Sequence, residues 1–175
     1  MSEEEEDEVW TDLFGGRRVT KDNIRVDLCG DIDEANSALG LARATIKNRR
    51  VSDIIYKIQK ELFIVGAECA TLVRDLHKLP IRITKDHIHS LKKLYAEMKR
   101  SVPPVKGFIT PGNSFPSANL HLARTIIRRA ERIAVKLRRE GKISKNIVDY
   151  LDVLSDLIFF LAVFEEESGK KLKRK

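Results

Sequence analysis

Residues 117–140 limit the fold more than any other stretch of the chain. Leu120, Ala123, Ile127, Ala130, Ala134 and Leu137 recur at steps of three and four, a period that only an α-helix turns onto one face. The same period runs through Leu28, Ile32, Ala35, Leu39 and Ala42, through Ile54, Ile58, Leu62, Val65 and Cys69, and through Ile147, Leu151, Leu154, Ile158 and Leu161. With a shorter segment after Thr84, the predicted helices cover 25–48, 52–76, 84–100, 117–140 and 144–166. Ser52 and Asp53 suit the start of the second, Thr84 the start of the third, and Gly141 a left-handed stop to the fourth. No period-two alternation interrupts the series, so the expected class is all-α, a five-helix bundle. Residues 1–23 read as a loop or arm. The linker 102–114, with Pro103, Pro104, Pro111, Gly107 and Gly112, is too long for a simple bundle turn, and such loops often carry function.

Charge decides what the bundle is for, or at least what it is not. Hydrophobic residues make up 42% and charged residues 34% of the chain, the balance of a globular and not a disordered chain, and the apolar run 157–164 is too short to span a bilayer. The net charge of +7 is unevenly placed: an acidic head over 3–8 opposes a basic tail over 169–175. A helical chain with this charge and no recognition motif is not expected to bind nucleic acid. Cys29 and Cys69 form neither a CxxC nor a zinc spacing and read as buried free thiols. The acidic start has no apolar leader, so the expected location is cytoplasmic.

Three stretches can carry chemistry. On the fourth helix Arg124, Arg128 and Glu131 are spaced i, i+4, i+7 and fall within an arc of roughly 60° beside the apolar stripe; Arg129 and Arg139 lie toward the outer face. Charges at the border of a packed face need partners. They could be an intrahelical ion pair at an interface, or a guanidinium cluster for a phosphorylated ligand, since arginine forks match phosphate oxygens in pairs. The second stretch is 12–22, where Gly15 and Gly16 let backbone N–H groups approach an anion and Arg17, Arg18 and Lys21 add charge. The third is acidic: Asp31, Asp33 and Glu34 on the first helix, best read as partners for arginine, and Asp149, Asp152 and Asp156 on the fifth. No nucleophile–histidine–acid set and no metal-ligand spacing appears. His77, His87 and His89 read as surface or loop residues, while His121 can face the site from one turn before Arg124.

Taken in order, these stretches resemble the PduO-type ATP:cob(I)alamin adenosyltransferases. Residues 14–22 (F-G-G-R-R-V-T-K-D) resemble that family's ATP loop, and 30–40 (G-D-I-D-E-A-N-S-A-L-G) its G-x-V-D-E-L-N-S-x-L-G motif. Residues 108–114 (F-I-T-P-G-N-S) resemble F-x-x-P-G-G-S, and 150–156 (Y-L-D-V-L-S-D) resemble Y-L-N-R-L-S-D. Residues 120–132 (L-H-L-A-R-T-I-I-R-R-A-E-R) are the most specific match.

The resemblance implies a ferritin-like five-helix bundle, residues 24–168, with an N-terminal ATP-loop arm, 1–23, and the basic tail. It implies a homotrimer that binds ATP and cobalamin between subunits and transfers the 5′-deoxyadenosyl group of ATP to cob(I)alamin, releasing triphosphate. Cobalt is the nucleophile, so the protein needs arginines and a glycine loop and no triad. The implied catalytic set is Arg128 on the triphosphate, with Arg124 paired to Asp33 across the subunit interface. The implied ATP contacts are Thr11, Gly15, Gly16, Arg18, Lys21, Arg128, Arg129, Glu131, Arg132 and Asp152, with Mg²⁺ held through the ATP phosphates. Phe108 and His121 are the implied cobalamin side, Phe108 lying under the corrin. A reductase and an adenosylcobalamin-dependent enzyme are the implied partners. The chain departs from the pattern in three places. Acidic residues replace the family's N-terminal T-R-x-G-D-x-G-x-T run, so that only Asp7 and Thr11 align. Asp152 stands for Asn, and Asn113 for a Gly. Added carboxylates beside a triphosphate weaken its binding, which leaves a non-catalytic carrier or sensor of cobalamin or nucleotide as the alternative.

Overall fold

The computed structural model describes residues 9–173. Five α-helices form the body: α1 (Ile24–Thr45), α2 (Arg49–Cys69), α3 (Lys85–Arg100), α4 (Phe115–Arg139) and α5 (Lys145–Lys173). This is the expected five-helix bundle. α4 packs between α1 and α5, with α2 against α1 and α3 against α5. The core is continuous through Leu28, Leu39, Ile58, Leu62, Leu91, Leu120, Ile127, Leu154 and Ile158. Each such fully buried side chain is worth ~1.5–3 kcal/mol relative to exposure.

Local sequence sets the ends of these helices. Asn23 Oδ1 accepts from the Arg25 N–H at 3.0 Å and Asn48 Oδ1 from the Val51 N–H at 3.2 Å, so α2 starts three residues before the expected Ser52. Ser114 Oγ accepts from the Ser117 N–H at 3.3 Å and starts α4. Thr84 precedes α3 as expected, and there His87 Nδ1 accepts the Thr84 N–H at 3.2 Å. Gly141, at φ 70°, ends α4 as expected. Around it the Lys142 N–H reaches Leu137 O at 2.9 Å and the Gly141 N–H reaches Arg138 O at 3.0 Å, a Schellman stop.

Other features also differ from expectation. The second predicted helix ends at Cys69, and a separate 3-10 helix covers Val73–Lys78. Its break is held by Glu68, whose buried carboxylate accepts the Ile83 N–H and pairs with Arg82 at 3.4 Å. α5 runs on to Lys173, past the expected end at 166. The arm is a β-hairpin, β1 (Trp10–Leu13) and β2 (Arg17–Thr20), turning on Gly15 and Gly16 at φ 90° and 77°. It is seated on the end of α2, where the Phe14 N–H donates to Ala70 O at 3.0 Å. The acidic head 1–8, with Asp7, and residues 174–175 lie outside the described residues.

Candidate functional site

The edge where α4 lies along α5 gathers the charges the sequence singled out. α4 presents Arg124 and Glu131, both half-buried, and Arg128, exposed; α5 presents Asp152 and Asp156, exposed, and Phe159, half-buried. Burial raises the Glu131 carboxyl above its ordinary range, and Asp152 and Asp156 add to the rise while Arg128 opposes it. Burial likewise raises Asp156, with Asp152 adding and Arg128, Arg124 and Lys99 opposing. Burial is the first cause of both shifts, and the neighbouring carboxylate and arginine charges pull in opposite directions on each. Asp149 does not belong with them: it accepts from Lys145 Nζ at 2.6 Å and faces Lys85, His89 and Lys92 of α3. The expected acidic strip is split by the α5 helix turn.

Arg124 has an unusual environment. Its guanidinium sits 5.6 Å from the centre of the Phe159 ring, and its buried Nε has no hydrogen-bond acceptor among the described residues. Asp33 is exposed on α1, and among the described residues neither it nor Arg124 forms an ion pair within the chain. The Asp31 and Glu34 carboxylates do find an arginine, as expected. It is Arg129, whose Nε donates to Asp31 at 2.8 Å and whose Nη2 donates to Glu34. That corrects the outer-face reading of Arg129: it ties α4 to α1, and its pKa is raised first by the Asp31 hydrogen bond. Arg132 donates to the Arg128 carbonyl at 3.0 Å.

His121 is the other correction. It is 4% exposed, so it lies behind the site and not open to it. Its ring meets Phe159 edge-on, centroids 6.0 Å apart at 65°, and neither ring nitrogen has a hydrogen-bond partner among the described residues. Burial first, then Arg124, lowers its pKa, and Glu166 opposes. An unsatisfied buried polar atom costs ~1–3 kcal/mol, so an apolar residue there would give a more stable fold. One turn before it the buried Ser117 hydroxyl is also unpartnered. Beyond them Asn113 Nδ2 donates to Glu166 Oε1 at 2.7 Å, tying the 102–114 loop to α5. On that loop Phe108 is fully exposed, an aromatic ring that no described residue covers.

In the arm, Thr11 is half-buried opposite Val19, Gly15 and Gly16 make the turn, and Arg18 lies 5.9 Å from the Trp10 ring centre. Lys21 follows β2, exposed, its N–H donating to Val9 O at 2.8 Å. Among the described residues no group of three or more His, Cys, Asp or Glu is placed to hold a metal ion, and no helix is long and apolar enough to cross a membrane.

Sequence reasoning missed Arg25. It is 5% exposed, and its guanidinium donates to the carbonyls of Cys69 at 2.7 Å, Thr71 at 3.2 Å and Lys142. It thereby joins the start of α1 to the end of α2, where the arm sits, and to the α4–α5 turn. The signal was present: Arg25 lies on the same stripe as Leu28 and Ile32, where an arginine needs an internal partner.

Fold and site together define a helical bundle with Arg124 and Arg128 on one helix edge, neither of them in an ion pair among the described residues. The chain belongs to the cobalamin adenosyltransferase family, whose model matches residues 2–165. It is 38% identical over 156 residues to a corrinoid adenosyltransferase of Citrobacter freundii, covering 89% of each chain. It is 36% identical over 159 residues to the corrinoid adenosyltransferase PduO of the same organism, matching 91% of its own length but spanning about half, 48%, of that longer protein. Its fold superposes with TM-score 0.86 and 29% identity on a variant PduO-type ATP:corrinoid adenosyltransferase from Lactobacillus reuteri complexed with cobalamin and ATP, covering 97% and 92% of the two chains.

Proposed function

We propose that the chain transfers the 5′-deoxyadenosyl group of ATP to cob(I)alamin, giving adenosylcobalamin and triphosphate. The observation that carries this is the pair Arg124 and Arg128 on the α4–α5 edge. Arg124 has no acceptor at its buried Nε, and Arg128 faces solvent beside three carboxylates. The cobalt electron pair forms the bond to C5′ while the C5′–O bond breaks, and its electrons leave with the triphosphate. The protein's task is to align C5′ and to stabilise charge on the leaving group. Arg128 takes the triphosphate, with Lys21, Arg18 and the Gly15–Gly16 turn of the arm closing over ATP. Glu131, Arg129, Arg132, Thr11 and Asp152 complete the nucleotide contacts, and Mg²⁺ enters with the phosphates.

Phe108, uncovered in the chain alone, packs under the corrin and keeps a ligand off the lower face of cobalt. Asp33 and Arg124, without ion-pair partners among the described residues, pair with each other between neighbouring subunits of a homotrimer. A reductase supplies cob(I)alamin and an adenosylcobalamin-dependent enzyme takes the product, in the cytoplasm. The test is anaerobic: purified protein, chemically reduced cobalamin and Mg-ATP, following loss of cob(I)alamin absorbance with release of one triphosphate per adenosylcobalamin. ATP and cobalamin binding without turnover would replace this reading with the carrier or sensor.

A further inference from the structure

The α4–α5 edge is a ladder of paired positions. Running toward the 102–114 loop, Arg128 and Glu131 face Asp152 and Asp156, Arg124 faces Phe159, His121 faces Phe159 and Glu166, and Asn113 closes on Glu166. One end holds Arg128, assigned above to ATP; the other holds the loop that carries Phe108. His121 is the rung between them, and it is buried. Phe159 is the piece it touches. That ring is fixed on its far side by Phe160, centroids 5.2 Å apart at 84°, and Phe160 in turn by Tyr95 of α3 at 5.5 Å.

We propose that His121 is a positioning residue for adenosyl transfer, whose uncharged ring holds Phe159, and through Phe159 the Arg124 guanidinium, in the groove between α4 and α5. The inference rests on the adenosyl-transfer reading for its consequence in catalysis, but not for its geometry. The cation of Arg124 is held by the face of a ring, and His121 supplies the aromatic edge against that ring on the α4 side, as Phe160 does within α5. The buried imidazole could have been replaced by an apolar side chain with a gain in satisfied polar groups, so its presence asks for a reason besides stability. Its charge state matters as much as its shape. The charged groups facing it are Arg124, one turn along its own helix, and Glu166 from α5. Protonation would set a second cation beside the Arg124 guanidinium in a site with little water, and the two would repel. Acid therefore releases Arg124 from its place.

Two measurements decide. In ligand-free protein, a ¹⁵N-edited NMR titration should find His121 titrating below the ordinary imidazole range, and Arg124→Leu should move it upward. Titration of His121 within the ordinary range, unmoved by Arg124→Leu, overturns the coupling. In steady-state adenosylation with ATP varied at saturating cob(I)alamin, His121→Phe keeps an aromatic edge without a titrating nitrogen. It should hold kcat within about threefold of the parent and no longer lose rate on the acid side, whereas His121→Leu should lose about tenfold in kcat with the ATP KM unchanged. Both variants should melt no lower than the parent. Parental rates in His121→Leu, equal damage in both variants, or an acid limb that persists in His121→Phe each overturn the proposal. If His121→Leu does not fold, the acid limb of His121→Phe decides alone. If the parent protein makes no adenosylcobalamin, the adenosyl-transfer reading fails and the NMR titration still judges the His121–Arg124 coupling.

Discussion

Arg25 and Arg124 are both arginines beside a helix core, yet one has all its partners and the other lacks them. Arg25 reaches three carbonyls from two other parts of the chain, while Arg124 has a phenylalanine ring and an Nε without an acceptor. The same contrast holds around them. Near the first, Glu68 accepts the Ile83 N–H, and deeper in the bundle the wholly buried Tyr150 donates to Glu61 at 2.7 Å. Burial, then Glu61, pushes that phenol well above its usual range. Near the second, Glu131, Asp152 and Asp156 crowd one another and His121 has no partner for either nitrogen. Internally satisfied polar groups hold a fold together. Groups left unsatisfied at the edge of a groove mark where something else binds.

The largest effect expected from this contrast is at Arg128. Arg128→Ala should lower the adenosylation rate by ~10²–10³, Arg128→Lys should recover part of it, and the melting temperature should stay with the parent. A parental rate in Arg128→Ala would erase the distinction between the two regions. Arg25→Met should do the reverse. Three carbonyls lose a donor at a cost on the order of 3 kcal/mol, a fall of roughly 6–12 °C in melting temperature for a chain of this size, with kcat little changed in the folded fraction. Thermal unfolding beside steady-state rates for the two variants tests both halves of the comparison.

At the proposed subunit boundary, Asp33→Asn should weaken trimer association by ~2 kcal/mol, read by light scattering across a dilution series; a parent protein that scatters as a monomer removes this contact altogether. Asp152→Asn takes one charge from the crowded trio. Glu131 and Asp156 have folded pKa values raised above their unfolded ones, so the folded state binds more protons than the unfolded state between those values. Their cost to stability is absent below the unfolded pKa and grows as pH rises through that window. Asp152→Asn should therefore raise the melting temperature at pH 7, leave it nearly unchanged below about pH 3, where the unfolded carboxyls are protonated, and lower the KM for ATP. The smallest effect on stability belongs to Arg129→Ala. Its bonds to Asp31 and Glu34 lie at the surface, where such pairs contribute ~0–1 kcal/mol, and chemical denaturation should register a change within that range.

The five helices were legible because each buries one continuous stripe, and so was the spacing of Arg124, Arg128 and Glu131. The hairpin was not, because Trp10–Leu13 and Arg17–Thr20 are four residues each and mix charges with apolar positions, so neither shows alternation. The partners of Arg129 lie 95 and 98 residues away on α1, and spacing along one helix says nothing of another. Tyr150 and Glu61 are 89 residues apart. His121 was found by its distance from Arg124 along α4, but its direction is set by α5. Sequence period places a residue on a face; what stands opposite it comes only from assembly.

The three bonds of Arg25 also order events in time. They close loops of 44, 46 and 117 residues, and no pair of helices adjacent in the chain can supply all of them. The α4–α5 hairpin forms from neighbours and needs no such wait, whereas α1, α2 and the Gly141 turn must already stand together before the guanidinium finds its third carbonyl. Contacts of this kind come late on the way to the native state, and interactions absent from the transition state act on escape more than on arrival. Loss of Arg25 would therefore leave the refolding rate almost untouched and shorten the lifetime of the folded chain.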